Sequence, residues 1–498
     1  MQGSQHFPAG LVLEAHKRQP LDLPIIELPA PPCVVLALDQ GSGREASPVV
    51  AVGTQVTVGQ AVARPLDAFA AAVHAPVSGR VTAIETREAM TPGGGSTCIV
   101  IESDGQDRRD PASAPQAGCS ALSPEELVIA LREAGIAGLG GAAFPTATKL
   151  DAARTREART LILNGAECEP WICCDDALMR EDAADVVQGA RILMRALSAD
   201  ACVIAIEDDK PQAIAAVRAA LAGCDTAGMD VRVLPAVYPQ GAERQLVTAL
   251  TGREVPAGGL PADVGVTCQN VATAAAVARW ARTGEPCLTR VVTVTGSGVA
   301  RPCNVRARIG TPLALLVAAA GGYRDTPLRL IAGGNMTGRA LPSDDIGLTK
   351  AMNCVFVATR PDLEPRPGAF ERPCIRCGDC ATVCPAALLP QQLHRAALAE
   401  DDAGLRDFGL RDCIDCGCCD YVCPSQIPLA HRFRIARNRL RERETAAQKA
   451  AAARERYERR ERRLQEAAIA EQQAFDSARR RAQVDGTPAA TGSPDGKA

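Results

Sequence analysis

Cys374-Ile-Arg-Cys377-Gly-Asp-Cys380-Ala-Thr-Val-Cys384-Pro385 is echoed by Cys413-Ile-Asp-Cys416-Gly-Cys418-Cys419-Asp-Tyr-Val-Cys423-Pro424. Each run sets three thiols on one tight loop and adds a fourth just before a proline. Three such thiolates can each reach a different iron of a cubane, and the remaining corner must be closed from elsewhere. The proline lacks an N–H and bends the chain away after the fourth thiol. Zinc favours two separated Cys-x2-Cys pairs with tetrahedral closure. Two successive three-cysteine loops therefore read as iron–sulfur ligands rather than zinc ligands.

In two-cluster ferredoxins the last cysteine of each run serves the other cluster. That pattern predicts one 4Fe-4S cluster on Cys374, Cys377, Cys380 and Cys423, and a second on Cys413, Cys416, Cys419 and Cys384. Cys418 breaks the spacing and is left unligated. The chain of 498 residues holds 21 cysteines in all, and the other 12 are scattered, which suits small buried hydrophobes. Cys168, Cys173 and Cys174 belong to this group.

A disulfide-rich secreted scaffold would be short and would carry a signal peptide. The beginning, MQGSQHFPAGLVLEAHKR, lacks a basic start followed by an apolar stretch. No apolar run approaches the roughly 18–20 residues that cross a bilayer, the longest being 313–320. The expectation is an intracellular chain that does not itself span a membrane. With 47% hydrophobic and 23% charged residues, it can bury several cores. The net charge of −3 is uneven: residues 431–498 hold 17 Lys/Arg against 10 Asp/Glu. That basic end suits an acidic partner or anionic lipid. Nucleic acid is not expected, because the basic residues lack interleaved aromatics and no nucleic-acid motif accompanies them.

The organisation reads as multidomain α/β and α+β. Residues 1–104 contain short strands broken by Gly and Pro, such as PVVAVGTQVTVGQAV (48–62) and HAPVSGRVTAI (74–84). They resemble the barrel-sandwich hybrid of biotinyl and lipoyl carriers. No lysine occurs between 34 and 103, so a structural or docking module is expected instead of a swinging carrier. Residues 105–122 read as a linker. Ser123-Pro124-Glu125-Glu126 supplies an N-cap, a first-turn proline and a capping-box glutamate for a helix that stops at Gly135. Strands and helices then alternate to 287, as in a Rossmann-like sheet. Residues 288–360 suit a β-grasp domain, 365–430 form the two-cluster ferredoxin-like module, and 431–498 form a helical tail ending in the disordered TPAATGSPDGKA.

Gly135-Ile-Ala-Gly138-Leu-Gly140-Gly141-Ala-Ala-Phe144-Pro145-Thr146-Ala-Thr-Lys149 lies between that helix and the next strand. Glycines let backbone N–H groups approach a phosphate, and Lys149 adds a charge. With NGAECEPWICCDD (164–176), this loop resembles the FMN site of the NADH-binding flavoprotein subunit of respiratory complex I. Together with YPQGAERQL (238–246) and the cysteine ladder, the phrasing is similar to the RnfC family, a component of the Rnf electron-transport complexes, over about residues 5–435.

The resemblance implies that Gly138, Gly140, Gly141 and Lys149 hold the FMN phosphate and ribityl chain. Asn164, Glu167 and Glu169 would line the isoalloxazine or nicotinamide side. Gly241 and Glu243 fall on a turn that carries paired glutamates in the flavoprotein, with Ala242 replacing the first. Asn270 and Thr273 match an Asn-Asn flavin loop in which Gln269 replaces the first asparagine. Read as bare residues, such Asn and Glu side chains are caps and turn formers.

The resemblance further implies a translocase-type oxidoreductase component that passes electrons between NADH, through FMN, and ferredoxin-type carriers by way of two 4Fe-4S clusters. It would be peripheral, on the cytoplasmic side of a bacterial inner membrane. Its partners would be integral-membrane and other redox subunits, with ferredoxin or flavodoxin served indirectly. No side chain is assigned as a catalytic acid or base. The alternatives are a soluble NADH-dependent iron–sulfur flavoprotein, or a cluster conduit and docking scaffold without a working NADH site.

Overall fold

The alternating apolar segments from residue 160 onward build a four-stranded parallel sheet in the computed structural model of the chain. Its spatial order is Met229–Leu234, Ala201–Glu207, Thr160–Gly165, Val266–Asn270. Both faces are covered, so Leu161, Ile162 and Leu163 are all buried although their side chains alternate in direction. The helix Ala183–Leu197 crosses Val271–Thr283 at Gly189, where an added Cβ would lie 1.8 Å from the Ala274 carbonyl oxygen. The chain direction across the sheet reverses between Thr160–Gly165 and Val266–Asn270. In doubly wound sheets, ligands bind outside the carboxyl ends of the strands at that reversal. Asn164 and Asn270 stand there, directly in register.

The structure describes residues 9–91, 94–111, 121–223, 227–324, 326–327, 329–363 and 370–486. The chain divides into two compact units, residues 1–433 and 434–498. Within the first, two antiparallel sheets enclose Val34, Leu36, Val62, Val81, Ile99 and Ile101, giving the N-terminal barrel-sandwich. Ile26–Glu27 pairs in parallel with Val305 and Arg306, as an edge of a different sheet. Prolines at 24, 29, 31 and 32 remove backbone donors on both sides of this strand and confine it to an edge position. The expected linker is also pinned where it is described: Val58 exchanges backbone bonds of 2.8 Å with Arg108 and Asp110. Residues 112–120 of that linker lie outside the described residues.

The β-grasp unit is a mixed six-stranded sheet with the helix Leu313–Ala319 packed on it. The cysteine-dense module consists of short helices, among them Asp379–Thr382, Pro390–Leu398 and Cys418–Val422. It docks on the parallel-sheet domain. Gln245 Nε2 donates to the Pro385 carbonyl at 3.0 Å, and Arg244 lies 3.7 Å from Asp412. The second compact unit, from residue 434, is described as helix through Asp485 and is solvent-exposed from 451 to 481. The expected disordered end TPAATGSPDGKA lies outside the described residues. Among the described residues, no helix is long and apolar enough to cross a membrane.

Candidate functional site

The helix Pro124–Glu133 begins with the expected capping box: Glu126 N–H donates to Ser123 Oγ at 3.2 Å, and Ser123 N–H to Glu126 Oε2 at 2.7 Å. It ends at Gly135, whose φ of +63° and close approach to the Ala72 carbonyl (2.5 Å from an added Cβ) both require glycine. The loop does not pass straight to a strand. Thr146–Thr155 is helical and carries Lys149 in its first turn.

The glycine loop is held from behind. Leu139 N–H donates to Thr273 Oγ1 at 2.9 Å, and Arg290 donates to the Leu139 carbonyl at 2.9 Å. Lys350, fully buried, donates to the carbonyls of Gly135 at 2.7 Å and Ala72 at 2.8 Å. These bonds leave the front of the loop facing a cavity of about 350 Å³. That volume falls in the range of small-molecule sites.

Gly138, Gly140, Lys149, Asn164, Glu167, Glu169, Gly241, Glu243 and Asn270 all line this cavity. Two expected residues do not. Thr273 is wholly buried behind the loop and acts on it through Leu139. Gly141, at φ +112°, forms the turn itself.

Several lining side chains are engaged by protein partners. Lys149 is ion-paired with Glu243. Asn164 donates to the Gly241 carbonyl at 2.8 Å and accepts from Ala166 N–H at 3.1 Å. Glu167 accepts from the backbone of Asp175 at 2.8 Å and Asp176 at 3.1 Å, capping the helix Cys174–Glu181. Glu169 accepts from Met336 and Thr337 N–H at 2.9 and 2.8 Å, and so fastens the β-grasp loop. Asn270 caps its own helix through Ala272 N–H at 2.8 Å. These residues are therefore caps and fasteners as well as lining.

Asp175 carries no signal of its own in the sequence, although it lies inside NGAECEPWICCDD. It is buried on the cavity wall, and its Oδ2 accepts from Asn270 Nδ2 at 2.6 Å. Phe144 and Tyr238 also line the wall. So does Gln269, whose buried Nε2 has no hydrogen-bond partner among the described residues. An unpaired buried donor on a cavity wall suits a ligand that brings an acceptor there, because leaving it bare costs about 1–3 kcal/mol. A glycine-lined floor, one ammonium and an unsatisfied amide donor fit a flat, phosphate-bearing group such as FMN.

The cysteines fall into two groups. Cys374, Cys377, Cys380 and Cys423 surround one small cavity, and Cys384, Cys413, Cys416, Cys418 and Cys419 surround another. Among the described residues, no three of the ladder thiols lie within 4.8 Å of one another. Tetrahedral zinc, with Zn–S of about 2.3 Å, draws its sulfurs to about 3.8 Å apart. Among the described residues neither set has three thiols drawn that close together, and both suit a larger cluster. Cys374 and Cys377 are exposed, whereas Cys418, Cys419 and Cys423 are buried. Cys416 and its neighbour Ile414 line both the second thiol cavity and the large cavity. The Tyr238 hydroxyl donates to the Cys416 carbonyl at 2.5 Å.

Residues 5–106 match the family described as RnfC barrel sandwich hybrid domain, and 131–279 match the Nuo51 FMN-binding domain. Residues 291–340 match the SLBB domain, and 369–424 match the 4Fe-4S dicluster domain. The RnfC component of the ion-translocating oxidoreductase complex of Pseudomonas aeruginosa is 46% identical over 446 residues, which is 89% of this chain and 57% of that protein. The same component from Rhodobacter capsulatus is 40% identical over 437 residues, covering 88% of this chain and 83% of its own length. The chain thus spans little more than half of the Pseudomonas relative. A chain of the NAD+-reducing NiFe-hydrogenase crystal structure in the air-oxidized state superposes with a TM-score of 0.44 at 20% identity over 65% of each chain.

Proposed function

Given that the chain belongs to the RnfC family of ion-translocating oxidoreductase complexes, we propose that it carries electrons between NADH, through FMN in the large cavity, and ferredoxin-type carriers reached through its partner subunits. The electrons pass singly through two 4Fe-4S clusters held by the interleaved cysteine sets. The partition at 105, 123, 288 and 365 belongs to the same reading. So does a peripheral place on the cytoplasmic side of a bacterial inner membrane, beside integral-membrane redox subunits.

The observation that carries this reading is the shared wall: Cys416 borders both the large cavity and the second thiol set. FMN supplies the conversion between a two-electron donor and one-electron acceptors. The chain's residues bind and aim. The glycine loop, fixed by Thr273, Arg290 and Lys350, presents backbone N–H groups to a phosphate. Lys149 is the cation among the lining residues, poised to exchange Glu243 for that phosphate. Gln269 and Asn164 offer amides at the strand ends, and Tyr238 braces the cysteine loop against the cavity.

Adding NADH to the anaerobic protein, with flavin absorbance and cluster EPR as readouts, tests this reading. Bleached flavin followed by reduced-cluster signals is expected. Clusters that stay oxidised with NADH yet are reduced by dithionite would overturn it and leave the conduit alternative. Tyr238→Phe loses the bond to Cys416. It is expected to slow NADH-driven cluster reduction several-fold while dithionite reduction and iron content stay unchanged; stopped-flow absorbance reads the difference.

A further inference from the structure

Resting on the NADH reading above, a charge-balance question arises in the cavity. Oxidation of NADH releases NAD+, one proton and two electrons. The nicotinamide C4–H bond breaks, its electron pair leaves as two single electrons by way of the flavin to the clusters, and each 4Fe-4S cluster takes one electron. Iron–sulfur clusters accept the electrons but not the proton, so the proton must go to water or to a group on the cavity wall.

Most titratable groups on that wall are committed elsewhere. Lys149 and Glu243 are paired with each other. Glu167 and Glu169 are tied to backbone N–H groups. The Tyr238 hydroxyl is spent on the Cys416 carbonyl, and Cys168 Sγ accepts from Gly241 N–H at 3.2 Å. Asp175 differs. Asn270 holds its Oδ2 at 2.6 Å, and no protein donor reaches Oδ1 among the described residues. Among the described residues it forms no ion pair within 4.0 Å, and a Glu167 carboxylate oxygen lies within 4.8 Å of one of its own.

We infer that Asp175 is the proton acceptor of this cavity, taking up the proton left by NADH oxidation and returning it to water through the cavity mouth between turnovers. The carboxylate becomes a carboxylic acid as the electrons depart, and Asn270 holds the group in place in both states. The groups that face it set its proton affinity. Burial first and Glu167 second push it up to about 7, opposed by the Asn270 hydrogen bond, by Arg290 on the β-grasp strand and by Lys210 at the end of the neighbouring sheet strand. An acceptor poised near working pH is the efficient one, because it is largely ionised before the step and releases its proton afterwards.

Asp175→Asn keeps the shape and the hydrogen bond to Asn270 but cannot take a proton. The holoprotein is mixed with NADH in a stopped-flow instrument from pH 6 to 8, with cluster absorbance and a pH-indicator dye recorded together. In the wild type, the rate of cluster reduction is expected to rise with pH through about 7, as the acceptor becomes ionised. In Asp175→Asn it is expected to fall at least tenfold and to lose that rise, while FMN content and dithionite reduction persist; Asp175→Glu should restore part of both. A separate readout needs no nucleotide. Infrared difference spectra of the protein across the same pH range should show protonated-carboxyl absorption to which Asp176 and Glu207, pushed up by burial to about 6 and about 7, also contribute, and the asparagine variant should lose the Asp175 component of it. An unchanged rate and pH profile in Asp175→Asn, or carboxyl difference spectra identical to those of the wild type, overturns the inference. Failure of NADH to reduce wild-type clusters overturns the electron-entry reading itself, and the two failures are told apart by the wild-type trace alone.

Discussion

Replacing Cys423 with serine is expected to empty the cluster whose other cysteines, Cys374, Cys377 and Cys380, lie more than forty residues earlier, and to spare the cluster of its own run. Iron should fall from about eight to about four atoms per chain, since each cubane holds four. Cys384→Ser should have the mirror effect on the set of Cys413, Cys416 and Cys419. The double variants make the assignment sharp. Cys423→Ser with Cys374→Ser should lose no more iron than either alone, because both act on one cluster. Cys423→Ser with Cys413→Ser should lose nearly all of it. The opposite pattern would mean that each run closes its own cluster. Cys418→Ser should keep its iron, although Cys418 borders the second set. Iron analysis with EPR of the reduced proteins checks every variant.

The second large effect is expected at Gly140. A Cβ there would lie 3.2 Å from the Cβ and Nδ2 of Asn270, tighter than ordinary contact. Asn270 is itself fixed by Asp175 and by its helix cap, so it cannot give way freely. Gly140→Ala should weaken FMN by roughly tenfold. Gly140→Val, whose methyl groups occupy the cavity, should weaken it by at least a hundredfold, equivalent to about 2.7 kcal/mol or more. Thermal unfolding should change little, because the loop is secured from behind through Thr273, Arg290 and Lys350. Flavin fluorescence during reconstitution measures the affinity. Tight FMN in the valine variant would show that the cavity is not the flavin site.

Much of this protein can be read locally. A capping box, a run of alternating strands and helices, and a repeated cysteine spacing are set by neighbours a few residues apart. The helix beginning at Pro124 accordingly lies where its signals put it. The short helix Thr146–Thr155 is not legible in the same way, because its glycine-rich approach masks the helical segment TATKLDAART behind it. Ile26–Glu27 reads as part of the barrel because two residues carry no register of their own; the β-grasp edge supplies it.

The site divides in the same way. Glycines and amides at strand ends announce a loop and a crevice, but not what stands behind them. Lys350 is separated from Gly135 by more than two hundred residues, and nothing around it in the chain marks it as a support of the glycine loop. Asp175 sits inside a legible motif with Glu167, yet the rest of its environment comes from Asn270, Arg290 and Lys210, which belong to three other segments.

Residue types and their local spacing thus come from the chain alone: which thiols share a loop, where helices begin, and which glycines can approach a phosphate. Folding in three dimensions adds that Cys416 borders the large cavity, that Tyr238 braces it there, that Lys149 rests on Glu243, and that Asp175 is buried beside a second carboxylate. The difference is one of range. Backbone propensity and ligand spacing act over a few residues, whereas burial, charge pairing and the shared wall of two sites arise where distant segments close on one another.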